Sequence, residues 1–145
     1  MEAMDDMLWS IDPQNDSMKK TILRIKELTE GLRSSYDVDI DLIVDHKVQL
    51  LELDMKLRHD IFFFYKEALT FMLENICCNQ IFVNINQMKS KMMVEILSEC
   101  DEPTGDFKSR FQKAMHKRSE DLSANMEVTT DNKSISVVLL VNLKS

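Results

Sequence analysis

Hydrophobic residues between positions 44 and 76 recur in alternating steps of four and three residues. The series comprises Val44, Val48, Leu51, Met55, Arg58, Phe62, Tyr65, Leu69, Met72 and Ile76, in which only the arginine is polar. A spacing sustained near 3.5 residues is typical of helices that wrap around one another. The pattern predicts one long helix over roughly residues 39–78, with this series as the face that binds a partner helix.

A second hydrophobic series lies beside the first and repeats every seven residues. Its members are Ile43, Leu50, Leu57, Phe64, Phe71 and Cys78. Two adjacent series make a stripe wider than the seam of a two-stranded coiled coil, so the helix should contact two or more helical neighbours. The pattern slips around Asn79, where a bend, a short loop or a rotated helix would each explain it.

Shorter helices are predicted around the long one, over residues 17–34, 85–100 and 107–125. Asp106 precedes the last of these and suits the N-cap position. Residues 17–126 are therefore expected to form one helical domain, preceded by an acidic flexible arm over residues 1–16. Trp9 in this arm is a candidate docking anchor, because large aromatic side chains are favoured at interfaces.

Residues 134–143 alternate strictly between apolar and less apolar positions, which predicts a β-strand. The strand and its polar connector would make up residues 127–145, after the helical domain. A lone strand leaves backbone groups unpaired. Its partner could be another copy, another protein or residues 80–85, and a short helix is the alternative.

Glycine and proline are rare, with two residues of each in 145. No glycine or proline occurs between Leu32 and Glu102. Glycine supplies tight turns and close backbone approach to phosphates, so nucleotide-binding α/β folds, sandwiches and barrels are not expected. The fold class predicted is mainly α, with about four helices and a candidate strand at residues 134–143.

The net charge of −7 disfavours nucleic-acid binding by the whole surface. A basic face formed by Arg110, Lys113 and Lys117 keeps nucleic acid open as a partner, although a solvated helix face explains it more simply. The apolar runs are too short to span a membrane. Without a targeting signal, the three cysteines are expected to be reduced thiols in an intracellular protein of the cytoplasm or nucleus.

No spacing typical of a catalytic or metal site occurs in the sequence. Asp37, Asp39 and Asp41 begin like a calcium loop, but Leu42 and Val48 occupy its glycine and glutamate positions. The adjacent pair Cys77–Cys78 and the scattered histidines lack ligand spacing. We therefore expect no enzyme activity, no metal, no cofactor and no small-molecule substrate.

The order of elements loosely resembles the docking region of an SMC5/6-type SUMO-ligase subunit. The generic similarity extends to the stretch Asp106-Phe107-Lys108-Ser109-Arg110-Phe111-Gln112. That resemblance implies docking on a coiled coil without the zinc module, and kinetochore and spindle subunits share the same gross pattern. The function predicted is a non-catalytic helical subunit or adaptor that assembles with a protein partner or with itself. A stand-alone helical inhibitor and a chromosome-associated subunit are the alternatives.

Overall fold

The computed structural model describes residues 17–100 and 105–143. These residues form four helices and five strands in an α/β arrangement. The elements in chain order are α1 (Met18–Tyr36), β1 (Asp39–Val44), α2 (His46–Gln49), α3 (Met55–Asn75), β2 (Cys78–Met88), β3 (Lys91–Cys100), α4 (Phe107–Asp121), β4 (Ala124–Thr130) and β5 (Ser134–Asn142). None of the described helices is long and apolar enough to span a membrane.

The five strands form one mixed sheet in the order β1-β2-β3-β5-β4. Strands β1 and β2 are parallel, and the chain crosses between them through α2 and α3. All other neighbours are antiparallel. The order places β5 inside the sheet, between β3 and β4.

One face of the sheet forms the core with the helices. Alternate residues of the central strands are buried, among them Ile81, Val83, Ile85, Val94, Ile96, Val137 and Leu139. Helix α3 lies between α1 and α4 on this face and contacts both. The period of two along each strand is that of a sheet with one buried face and one open face.

The prediction of a mainly α fold is wrong, and so is the single long helix over residues 39–78. This region forms β1, the one-turn helix α2 and the 21-residue helix α3. The carboxylates of Asp45 and Asp54 accept hydrogen bonds from the backbone N–H groups of Lys47 and Leu57, which caps two separate helices. The hydrophobic series kept its step across the breaks because strand, turn and helix all present apolar residues to one core.

The helix predicted over residues 85–100 is also wrong. Strands β2 and β3 form a hairpin there, and Asn79 lies within β2. The backbone has positive φ at Asp37, Lys89 and Ser123, whereas neither glycine does. The described residues with left-handed backbone are therefore not glycines, and the rarity of glycine was a misleading argument against a sheet.

The strand predicted over residues 134–143 is present as β5. It pairs with β3 and β4, and residues 80–85 belong to β2, which is not its neighbour. Residues 124–130 form β4, so one sheet includes residues on both sides of the expected boundary at residue 126. Helix α4 lies within the span predicted for a helix over residues 107–125.

Candidate functional site

The edge between α3 and α4 contains an ion pair that joins the two helices. The Arg118 guanidinium lies 2.6 Å from the Glu67 carboxylate, and its Nε also donates to that carboxylate at 2.8 Å. The same guanidinium lies over the ring of Phe63 at 5.1 Å from the centroid. The pairing fixes a cation beside an aromatic ring at the rim of the core.

A second arginine connects the beginning of α4 to the end of α3. Arg110 donates from Nη1 to the side-chain oxygen of Asn75 at 3.0 Å, and its Nε lies 3.3 Å from the carboxylate of Asp106. Asp106 occupies the N-cap position of α4 but makes no side-chain cap hydrogen bond. The first backbone N–H groups of α4 are therefore not satisfied by that side chain.

Three phenylalanine rings fill the space between these polar pairs. The ring centroids of Phe71, Phe107 and Phe111 lie 5.6–5.8 Å from one another. Phe107 and Phe111 are fully buried, and Phe71 is half-buried. We call these rings, together with Glu67, Asn75, Arg110 and Arg118, the α3–α4 edge.

The chemistry of the α3–α4 edge suits an anion. Guanidinium groups bind phosphate or carboxylate oxygens well, but Arg118 and Arg110 already contact Glu67 and Asp106, so an incoming anion would have to share or displace those carboxylates. The N-terminus of α4 adds an attraction for negative charge. No cluster of three or more histidine, cysteine, aspartate or glutamate side chains suited to a metal ion occurs in residues 17–100 and 105–143. Phosphate or carboxylate is therefore the ligand class that this edge fits.

A separate groove of about 750 Å³ lies between α1 and α3. Its walls carry cations and acids in equal number, Arg24 and Lys66 against Glu27 and Glu74. The Tyr36 hydroxyl donates to the Glu74 carboxylate at 3.4 Å. The α3–α4 edge has the same balance of charge, because Glu67 and Asp106 pair with its two arginines. It differs from the α1–α3 groove in having the N-terminus of α4, whose N-cap residue makes no side-chain cap hydrogen bond.

The residues predicted to bind a partner helix lie mostly inside the protein. Val48, Phe62, Tyr65, Leu69 and Met72 are buried, whereas Val44, Leu51 and Ile76 are half-buried and Met55 is exposed. The series predicted to be surplus apolar surface is covered by the sheet and by α1 and α4. The structure therefore brings these residues together as core.

The remaining predicted residues divide into two groups. Trp9 lies outside the described residues. Arg110, Lys113 and Lys117 are exposed on α4. Arg110 contacts Asn75 and Asp106, and the ammonium of Lys117 lies 3.8 Å from the carboxylate of Asp121. The three residues do share α4, but neighbouring acids offset part of their charge.

The sequence reasoning did not identify Glu67, Asn75 and Arg118 as site residues. The signal for Glu67 was present, because it follows Lys66 inside the apolar stretch from Ile61 to Leu73. A carboxylate in such a stretch needs a cationic partner when it packs against a core. The partner is distant in sequence, so the spacing of residues could not reveal it.

Solved structures of histidine kinases are similar to this chain over most of its length. The Erythrobacter litoralis EL346 blue-light activated histidine kinase matches with a TM-score of 0.75 and 13% identity, over 98% of this chain and 52% of that chain. The catalytic domain of histidine kinase ThkA matches with a TM-score of 0.66 and 12% identity, over 87% of this chain and 92% of that chain. Acinetobacter baumannii histidine kinase AdeS matches with a TM-score of 0.66 and 8% identity, over 89% of this chain and 66% of that chain.

No family model matches the sequence, and no curated protein matches it. The structural likeness therefore establishes the fold, which is that of histidine kinase catalytic domains. The chain spans about half the length of the EL346 kinase. At these identities, the activity of the neighbours is not transferred by the likeness alone.

The likeness corrects the functional predictions. The coiled-coil or bundle adaptor, its loose resemblance to a SUMO-ligase docking region and the helical inhibitor are wrong, because all three required a mainly helical chain. The prediction of a non-enzyme is corrected as well, because the chains that share this fold include kinase catalytic domains. The exclusion of nucleotide-binding α/β folds fails for the same reason.

Proposed function

We propose that this chain is a nucleotide-binding domain of the histidine-kinase type, which holds ATP for phosphoryl transfer. The observation that carries the proposal is the agreement of fold with the EL346 kinase over 98% of the chain. The acceptor of the phosphoryl group would be a histidine of another segment or of a partner protein. A domain that consumes ATP in this way is expected inside the cell, in agreement with the intracellular location expected from the sequence.

The nucleotide is assigned to the α3–α4 edge. Arg110 and the N-terminal N–H groups of α4 would contact phosphate oxygens at one end of the edge. Arg118 lies eight residues further along α4, about 12 Å away, and would contact a different part of the nucleotide. The half-buried ring of Phe71 offers an apolar surface beside them. The residues that hold the arginines, Asn75 and Glu67, would orient them.

Glycine does not shape this site. Neither glycine has positive φ, and a Cβ at Gly31 or Gly105 would meet no atom within 4 Å. Recognition of phosphate by the described residues would therefore depend on side-chain cations and the end of α4. Such binding is expected to weaken steeply as the salt concentration rises, because exposed charges are screened.

The direct experiment is titration of the protein with a fluorescent ATP analogue, with and without Mg²⁺, checked by calorimetry with ATP. We expect a dissociation constant below about 1 mM. Arg110→Ala should weaken binding about tenfold, because it removes a charge-assisted contact. Lys113→Ala is the matched control, a cation on the same helix with an exposed side chain, and should change little.

Two results would contradict the proposal or its location. Absence of ATP binding at millimolar concentration, in a protein shown by circular dichroism to be folded, would overturn the function. Loss of binding in Lys66→Ala with full binding in Arg110→Ala would instead move the nucleotide to the α1–α3 groove. Equal losses in Arg110→Ala and Lys113→Ala would show non-specific attraction to α4.

A further inference from the structure

Among the described residues, no helix or strand covers the sheet face that points away from the helices. Its residues come from alternate positions of all five strands, and we call it the open face. Its exposed large apolar side chains are Ile43, Phe82, Met88 and Leu97, with 66%, 40%, 55% and 39% of their surface accessible. Large apolar side chains that cluster on a sheet commonly mark an interaction surface.

The strand register places these side chains beside one another. Phe82 on β2 lies opposite Leu97 on β3, and Met93 on β3 lies opposite Leu140 on β5. Val138 lies on the same face of β5, between the two pairs. Directly opposite side chains on one face are in contact distance, so these residues form an apolar patch across three adjacent strands, with Asn84 and Glu95 in the row between the two pairs.

Acidic residues lie within this patch and around it. Glu95 lies inside the patch, between Met93 and Leu97 on β3 and opposite Val138. Asp41, Glu99 and Glu127 lie on the open face at its border, where Glu127 is opposite Val138. None of the ion pairs of the described residues involves these four acids. Lys91, at the far end of β3, is exposed on the same face.

We propose that the open face binds a basic amphipathic helix of a partner protein. Three adjacent strands span about 10 Å, which matches the width of one helix with its side chains. The patch lies in the middle of the sheet rather than at an edge, so addition of a strand cannot cover it. Lysine or arginine residues along the sides of the helix would then meet the acids that border the patch.

Other occupants fit the charges less well. If the open face bound the open face of a second copy, acidic residues of one copy would face acidic residues of the other. Like charges across an interface are repulsive. Nucleic acid and anionic membranes are repelled for the same reason. The proposal concerns the sheet face opposite the α3–α4 edge and does not depend on nucleotide binding.

The experiment uses a designed helical peptide of about 15 residues with leucine on one side and lysine on the other, labelled for fluorescence anisotropy. A peptide with glutamate in place of lysine is the charge control. We expect the lysine peptide to bind, with affinity falling as salt rises, and the glutamate peptide not to bind. The double variant Phe82→Ser/Leu97→Ser should weaken binding at least tenfold.

Matched variants separate this site from general attraction to an acidic protein. Leu23→Ser removes an exposed apolar side chain from α1, on the helical side, and should leave binding unchanged. Glu95→Gln/Glu127→Gln should flatten the salt dependence, whereas Glu27→Gln on α1 should not. Circular dichroism spectra and melting curves of each variant verify that the fold is intact.

Three outcomes would overturn the proposal. One is binding of the lysine peptide that the Phe82/Leu97 variant leaves intact. Another is equal binding of the two peptides. The third is a concentration-dependent dimer in sedimentation velocity that Phe82→Ser/Leu97→Ser dissociates, because this would assign the open face to a second copy.

Discussion

Helices α3 and α4 lie side by side, yet they differ in how much of their surface is buried. Helix α3 buries five consecutive residues from Ile61 to Tyr65, because it is enclosed by the sheet, α1 and α4. Helix α4 buries Phe107, Phe111, Met115 and Ser119, which follow one another at four-residue spacing. A helix that is apolar on all sides belongs in the interior, whereas a single stripe marks a helix at the surface.

Core truncation should reveal this difference most strongly. Phe64→Ala in α3 removes a ring that is 1% exposed and should lower the free energy of unfolding by about 3–5 kcal/mol. Lys113→Ala in α4 should change it by less than about 0.5 kcal/mol. Urea denaturation followed by circular dichroism measures both, and similar values would contradict the difference in burial between these two positions.

Removal of the Tyr65 hydroxyl should have the next largest effect on the free energy of unfolding. This hydroxyl forms a 2.6 Å hydrogen bond with the hydroxyl of Thr29, which itself donates to the backbone oxygen of Ile25. Burial raises the pKa of Tyr65 above its ordinary value. Tyr65→Phe should lower stability at neutral pH by about 1–1.5 kcal/mol.

The same residue predicts a pH dependence. Because the pKa is higher in the folded state, the stabilisation is complete below the unfolded pKa of about 10 and is lost as the pH rises above it. Wild-type protein should therefore lose stability in alkaline solution more steeply than Tyr65→Phe. Parallel pH profiles of the two proteins would contradict the assignment.

The ion pair between the two helices should contribute less. The side chains of Glu67 and Arg118 are 40% and 29% exposed, so solvent screens their attraction. A double-mutant cycle with Glu67→Gln and Arg118→Gln should give a coupling energy of about 0.5–1 kcal/mol. A cycle with the exposed pair Glu30 and Arg33 is the matched comparison and should give a smaller value.

The smallest effect concerns thiol reactivity where α3 leads into β2. Cys77 is exposed, whereas Cys78 is half-buried and lies 3.1 Å from the Ser98 hydroxyl. Burial raises the pKa of Cys78 and so reduces its thiolate fraction. Iodoacetamide at neutral pH should label Cys77 severalfold faster than Cys78, and mass spectrometry of peptides from Cys77→Ser and Cys78→Ser variants measures this.

The positions of α1, α4 and β5 could be predicted from the sequence, because the apolar residues of each recur with a single period and its ends carry recognisable residues. Strand β1 was missed although Asp39, Ile40, Asp41 and Leu42 alternate, because the heptad series continued through it. A sheet partner is chosen by residues distant in the chain, so neither the order of strands nor the pairing of Glu67 with Arg118 follows from local spacing. Lys89 and Ser123 adopt left-handed turns that sequence rules reserve for glycine.

Strand β5 follows β4 in the chain but separates it from β3. During synthesis, β4 therefore emerges before β5, which attaches it to the sheet. The edge of β3 also stays unpaired until β5 has been made. A chain that stopped before Ser134 would leave one edge of β3 and both edges of β4 unpaired, in addition to the edge at β1, and such edges promote aggregation. We expect premature termination there to produce insoluble protein rather than a smaller folded domain.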